Sequence, residues 1–286
     1  MTIRNPIEWG IEAVRNTASA VDTVRAEGYD SVTDRAIAVP VIRHIGIADI
    51  KIALERGFAD FTAGRTDVLF IAVIYPVLGL IFTEAALNTN LLPLLFPMIA
   101  GFALVGPLAG LGLYEMSRRR ERGETPRWAD ALSVFKSPAL GGIIVLGVEL
   151  FVLLGLWLVV ANFIYTVTIG AAAPDSVVGF LHQVLTTGGG FALIVFGTGI
   201  GFIFAVVVLS ISVISFPLML DRNVSVGTAM ATSVRSVIAN PVPMAVWGIV
   251  VAGGLMIGSL PLLLGLVVIM PVLGHATWHL YRAVVA

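Results

Sequence analysis

The sequence predicts an all-α polytopic membrane protein: six transmembrane helices with both termini cytoplasmic, and amphipathic helices lying at the interface. Three observations carry this. Six apolar runs, Val68–Leu87, Leu91–Tyr114, Pro138–Ile164, Gly190–Met219, Val242–Gly258 and Leu260–Leu280, approach or exceed the ~20 residues that a helix needs to cross a ~30 Å hydrocarbon core. All 17 Lys and Arg fall in residues 1–67, 115–137, 220–241 and the C-terminal tail, and none in 88–90, 165–189 or the turn near Gly258–Pro261. Cationic loops resist translocation, so the charged side is the cytoplasmic one. Finally, hydrophobic residues make up 58% of the chain and charged residues 12%, too apolar a balance for a water-soluble protein of this length.

Residues 1–40 read as a cytoplasmic N-terminal amphipathic segment and linker, and residues 41–286 as the six-span domain. The segment 5–28 has Asn5 as cap, Pro6 at the first helical position and Gly28 as stop. No apolar core segment precedes the first span, so that span doubles as the insertion signal. The style of chain points to a bacterial inner membrane.

A second amphipathic helix is expected over 47–63. Ile47, Ile50, Leu54, Phe58 and Phe61 form its apolar face, and Asp49, Lys51, Glu55, Arg56 and Asp60 lie elsewhere. A third lies at 126–137, with Trp128, Leu132 and Phe135. A fourth lies at 224–239, with Val226, Met230, Val234 and Val237. Ser133-Val134 leads to Ser137-Pro138 before one span, and Ser236-Val237 to Asn240-Pro241 before another. A proline at a helix start loses no needed N–H and turns the chain into the bilayer. Each inward-going span also carries a proline toward its cytoplasmic end: Pro107, Pro217 and Pro271. Three copies of one unit are inferred, each an interfacial helix followed by a helical hairpin.

In the outer loop 165–189, Asp175 is placed to cap a short helix that carries Val177, Phe180, Leu181 and Val184. The fourth run, at ~1.5 Å per residue, is ~45 Å long and must tilt, kink near Pro217 or emerge.

Glu149 is the only acid deep inside a span, which makes it a candidate proton or cation site, or a protonated structural group. His275 and His279, four residues apart, share one helix face near the cytoplasmic end of the last span. A zinc-protease pattern would need Glu where Ala276 stands, and haem ligation would need histidines on other helices, so neither a metal nor a cofactor is expected. The inward spans close on polar clusters, and Glu115, Asp221, Arg222, His275, His279 and Arg282 are the candidate site at their cytoplasmic ends. Isolated charges there would be costly, so Arg222 or Arg282 is expected to contact Glu115 or Asp221. Gly106, Gly110, Gly197 and Gly201 have the small-xxx-small spacing of close helix packing. The run Arg118-Arg119-Arg120-Glu121-Arg122 fixes topology and can hold anionic headgroups. The chain has no cysteine, hence no disulfide or thiolate chemistry. It has no basic domain for nucleic acid and no legible catalytic constellation.

Gly112-Leu113-Tyr114-Glu115-Met116-Ser117-Arg118-Arg119, Leu220-Asp221-Arg222, Asn240-Pro241-Val242-Pro243-Met244 and the closing Gly274-His275-Ala276-Thr277-Trp278-His279-Leu280-Tyr281-Arg282 together resemble the bacterial integral-membrane family known as domain of unknown function 2189. The resemblance runs from about Val41 to the C-terminus. It implies a membrane protein and no particular mechanism. The favoured expectation is a non-catalytic inner-membrane protein, transporter-like or membrane-organising. The alternatives are an accessory or assembly subunit of a respiratory or envelope complex, and a membrane enzyme acting on lipid. The expected partners are the lipid bilayer and a second membrane protein or another copy of the chain.

Overall fold

The computed structural model describes residues 40–64, 110–170, 172, 174, 176–260 and 264–286, with scattered positions between 76 and 107. The expected helix at 5–28, most of the run Val68–Leu87 and part of Leu91–Tyr114 lie outside the described residues.

Among the described residues the chain is helical. The elements are α1 (Ile47–Ala63), α2 (Leu111–Glu121), a single turn α3 (Trp128–Ala131) continued by the 3-10 segment Leu132–Lys136, α4 (Leu140–Thr168), α5 (Val177–Thr186), α6 (Gly188–Ser212), α7 (Ser215–Arg222), α8 (Val226–Ala239), α9 (Pro241–Ser259) and α10 (Leu266–Val284). A further 3-10 turn spans Leu92–Leu94. Among the described residues three helical stretches are long and apolar enough to cross a membrane: Leu140–Thr168, Gly188–Arg222 and Pro241–Ser259.

Local sequence explains most boundaries. Ser225 caps α8 by accepting from the Thr228 N–H, and Thr187 caps α6 by accepting from Gly190. Pro241 occupies the first position of α9, where its missing N–H costs nothing. Asn223 ends α7 at φ 50, the left-handed conformation that a helix C-terminus takes and that Asn tolerates. The α5 cap is Ser176, whose hydroxyl accepts from Gly179 at 3.0 Å; Asp175, the expected cap, lies outside the described residues. The long fourth run breaks at Val213–Ile214 rather than at Pro217, which sits in the first turn of α7 where proline is tolerated. The Ser233 hydroxyl meets the Ile214 N–H at 3.2 Å and satisfies a donor that the break would otherwise leave open.

The amphipathic helix α1 is turned relative to the expected stripe. Its buried residues are Ile50, Ala53, Gly57 and Asp60, while Ile47 and Phe58 are more than half exposed. The reason is a close helix crossing. A Cβ on Gly57 would lie 2.6 Å from the Ala276 nitrogen, so α1 rests backbone to backbone on α10. A large side chain on that face would hold the helices apart. The buried face of α8 is likewise small and polar: Ala229, Thr232, Ser233 and Ser236.

The tightest packing gathers at the charged end of the helices. Trp247, Trp278, Tyr114, Tyr281, Phe216 and Ile214 are almost wholly buried there. By contrast Phe151, Val159 and Phe163 on α4, Phe191, Phe196 and Phe202 on α6, and Ile249 and Met256 on α9 are exposed. Apolar side chains in that number on long helices suit a lipid surround rather than water.

Candidate functional site

The candidate site is a polar layer assembled from α1, α2, α7 and α10. Its centre is Asp60, near the end of α1 and 7% exposed. The Oδ2 atom accepts from Ser117 Oγ at 2.6 Å and pairs with His279 Nε2 at 2.9 Å. Arg120 Nη1 donates to the Asp60 carbonyl at 2.6 Å and to Oδ1 at 3.3 Å. Burial pushes the Asp60 carboxyl up, but the hydrogen bonds from His279 and Ser117 outweigh it and hold the group below its ordinary 3.8.

Ser117 also meets His275 Nδ1 at 2.8 Å. The hydroxyl has one proton and gives it to Asp60, so the His275 N–H must be the donor in the second bond. That polarity is opposite to the one that activates a serine, in which the imidazole takes the hydroxyl proton. Both side chains are about 1% exposed. The chain His279–Asp60–Ser117–His275 is thus built to bind three helices together.

A second node forms around Glu115, 2% exposed, which pairs with Arg118 Nη2 at 2.7 Å and Arg119 Nε at 2.9 Å. The Arg119 guanidinium also reaches Asp130 at 3.1 Å, and the Glu115 hydrogen bond raises its pKa above the ordinary value. A third node joins α2, α7 and α10. Arg282 reaches Glu121 at 3.0 Å and Asp221 at 3.5 Å, Tyr281 donates to Asp221 at 2.7 Å, and Trp278 Nε1 donates to Glu121 at 3.2 Å.

The six sequence-nominated residues therefore lie in one layer but divide among different partners. His275 and His279 turn to Ser117 and Asp60. Asp221 and Arg282 meet each other, and Glu115 keeps to the arginines of its own helix. Arg222 donates to the Ala286 carbonyl at 2.6 Å. Among the described residues no three acidic or histidine side chains group as a metal site requires. Glu149 sits apart, about a third of the way along α4, and its buried Oε2 has no hydrogen-bond partner among the described residues. Of the four glycines, Gly201 faces the Trp157 ring and Gly110 the Tyr114 ring of its own helix; Gly106 and Gly197 have open space beside them.

Four participants were not evident from sequence. Two are Asp60 and Ser117. Glu121, which holds both Trp278 and Arg282, is another. The fourth is Asn240, 3% exposed, whose amide donates to the Arg43 carbonyl at 3.1 Å and accepts from the Ile45 N–H at 2.8 Å. It straps the segment ahead of α1 to the α8–α9 corner. The same segment bridges to the end of α10, with Arg43 N donating to the Val284 carbonyl at 2.7 Å. The only hint for Asn240 was its place before Pro241 in the paired Ser-Val motif.

No curated protein and no solved structure matches this chain. The closing segment Gly274–Arg282 lies beyond the family match, which covers α2 with its arginines and continues through α4 and α6 to Asp221. Over residues 95–221 the chain matches the family described as predicted integral membrane protein, DUF2189.

Proposed function

We propose that this protein is a non-catalytic, membrane-organising component of a bacterial inner membrane, with six spans and both termini cytoplasmic. Its three interfacial-helix-plus-hairpin units would descend from one repeat. The observation that carries the reading is the closure of the polar layer: Asp60 takes donors from Ser117, Arg120 and His279, so its charge is spent on joining α1, α2 and α10. A catalytic acid or base needs a free coordination side toward a substrate. What the layer holds out is the apolar surface of α4, α6 and α9, suited to lipid and to neighbouring membrane proteins.

A transport role is the second reading, and Glu149 favours it, because an acid within a span with an unpartnered oxygen is costly unless protonated or used. Reconstitution into vesicles separates the two. The organising role gives slowed diffusion of spin-labelled lipid around the protein and ion flux equal to protein-free vesicles. A proton or cation flux that Glu149→Gln abolishes would replace it with the transport reading.

A further inference from the structure

Beside the polar layer lies a cavity of about 330 Å³, near the lower end of ligand-pocket sizes. Arg118, Arg119, Lys136, Ser133, Ser137 and Asn223 line it, from α2, the 3-10 segment, the entry to α4 and the end of α7. Glu115 and Asp221 line it too, and both are committed elsewhere. Glu115 is ion-paired to Arg118 and Arg119, and Asp221 is held by Tyr281 and Arg282.

What remains uncommitted around the cavity is donor and cation. The Lys136 side chain is exposed and makes no ion pair among the described residues. The Nε of Arg118 is buried and has no acceptor among them. Ser137 and Pro138 lead into the first turn of α4, a 29-residue helix without a side-chain cap. Its free N–H groups add positive potential at the same place.

We propose that this cavity binds a phosphate group. The donors that stay open are the kinds that phosphate takes: a guanidinium N–H, an ammonium, the Ser137 hydroxyl and a helix start. The group has two sources, the headgroup of an anionic phospholipid and free phosphate, and both present the same tetrahedral oxygens. The site stands independently of the organising role proposed above.

The test uses the full-length protein and three forms: wild type, Lys136→Gln and Arg122→Gln. Lys136 is exposed, so its replacement leaves the fold intact; Arg122 is an exposed cation of the run that supplies Arg118 and Arg119, and it does not line the cavity. In one arm, detergent-solubilised protein is titrated with inorganic phosphate and binding is read by calorimetry. In the other, protein in nanodiscs of phosphatidylcholine with a minor share of phosphatidic acid is examined by native mass spectrometry for retained anionic lipid. A cation beside a phosphate at a membrane surface is worth about 1 kcal/mol, so Lys136→Gln should weaken binding about fivefold while Arg122→Gln leaves it near wild type. A response to inorganic phosphate assigns free phosphate; retention of phosphatidic acid without that response assigns the headgroup. Equal losses in both variants, or no binding in either arm, overturn the proposal.

Discussion

Asp60 and His279 stand 219 positions apart in sequence and 2.9 Å apart in space, and this contact ties the first described helix to the last. Because Ser117 and Arg120 meet the same aspartate, removing its carboxylate disturbs α1, α2 and α10 together.

Replacing Asp60 with Ala is therefore expected to destabilise the protein strongly. Breaking a buried, hydrogen-bonded ion pair costs on the order of 3–5 kcal/mol. Thermal unfolding in detergent, followed by tryptophan fluorescence, reads the loss. Trp247 and Trp278 are buried near this layer and report its opening. A melting temperature unchanged from wild type would mean that the node contributes nothing.

The same carboxyl sets an acid limit. Its folded pKa lies below the ordinary 3.8, so ionisation of Asp60 stabilises the fold above that value. The contribution is lost as pH falls below 3.8 through the depressed folded value. The stability gap between wild type and Asp60→Asn should hold near neutrality and shrink only in that acid window. A gap that closes above about pH 5 would assign the effect to another group.

Gly57→Val tests the close crossing of α1 on α10. The added side chain would collide with the Ala276 backbone, which cannot swing aside as a flexible side chain can. Overpacking of this kind costs roughly 1–3 kcal/mol, and more where backbone must move. Glycine to valine at Gly141, which has open space beside it, is the matched control and should cost little or nothing, since valine is a slightly better helix former than glycine. Similar melting temperatures for the two variants would refute tight α1–α10 contact.

Asn240→Ala should free the segment ahead of α1. Two bonds from one side chain to that segment are removed, one of them to the Ile45 N–H. Losing them leaves a main-chain donor unmet, at about 1–3 kcal/mol. Hydrogen exchange at residues 43–46 should accelerate while α4 stays protected. Unaltered exchange there would show that the bridge to Val284 suffices by itself.

Reporter fusions address sidedness. Those after Asn88 and Asp175 should report the exterior, and those after Gly123 and Asn223 the cytoplasm, because Lys and Arg are absent from 165–189 and dense at 118–122. A cytoplasmic signal after Asp175 would remove the six-span arrangement.

The membrane class and the apolar helices α4, α6 and α9 were legible because apolar run length is a local signal. The ends of those runs also mark where Glu115, Asp221 and Arg282 lie, since a charge within an apolar run is costly. The role of Asp60 was hidden for a physical reason. On an amphipathic helix that also carries Asp49, Lys51, Glu55 and Arg56, one more aspartate reads as a solvated face, and only a partner elsewhere in the chain reveals otherwise. The stripe on α1 misled similarly. A hydrophobic pattern weights Ile47 and Phe58 above Gly57, yet the close crossing selects the smallest residue. The division of His275 and His279 from Asp221 and Arg282 depends on tertiary placement, which no spacing within α10 could encode.

The separation of Asp60 from His279 along the chain also dictates when the layer can close. At about 5–20 residues per second, a ribosome that has made Asp60 needs roughly ten to forty seconds more to deliver His279. During that interval the nascent chain carries Ile50, Ala53 and Gly57 without their cover and Asp60 without its imidazole. Completion of the chain is thus registered at α1: a product arrested before α10 would leave that face of α1 bare.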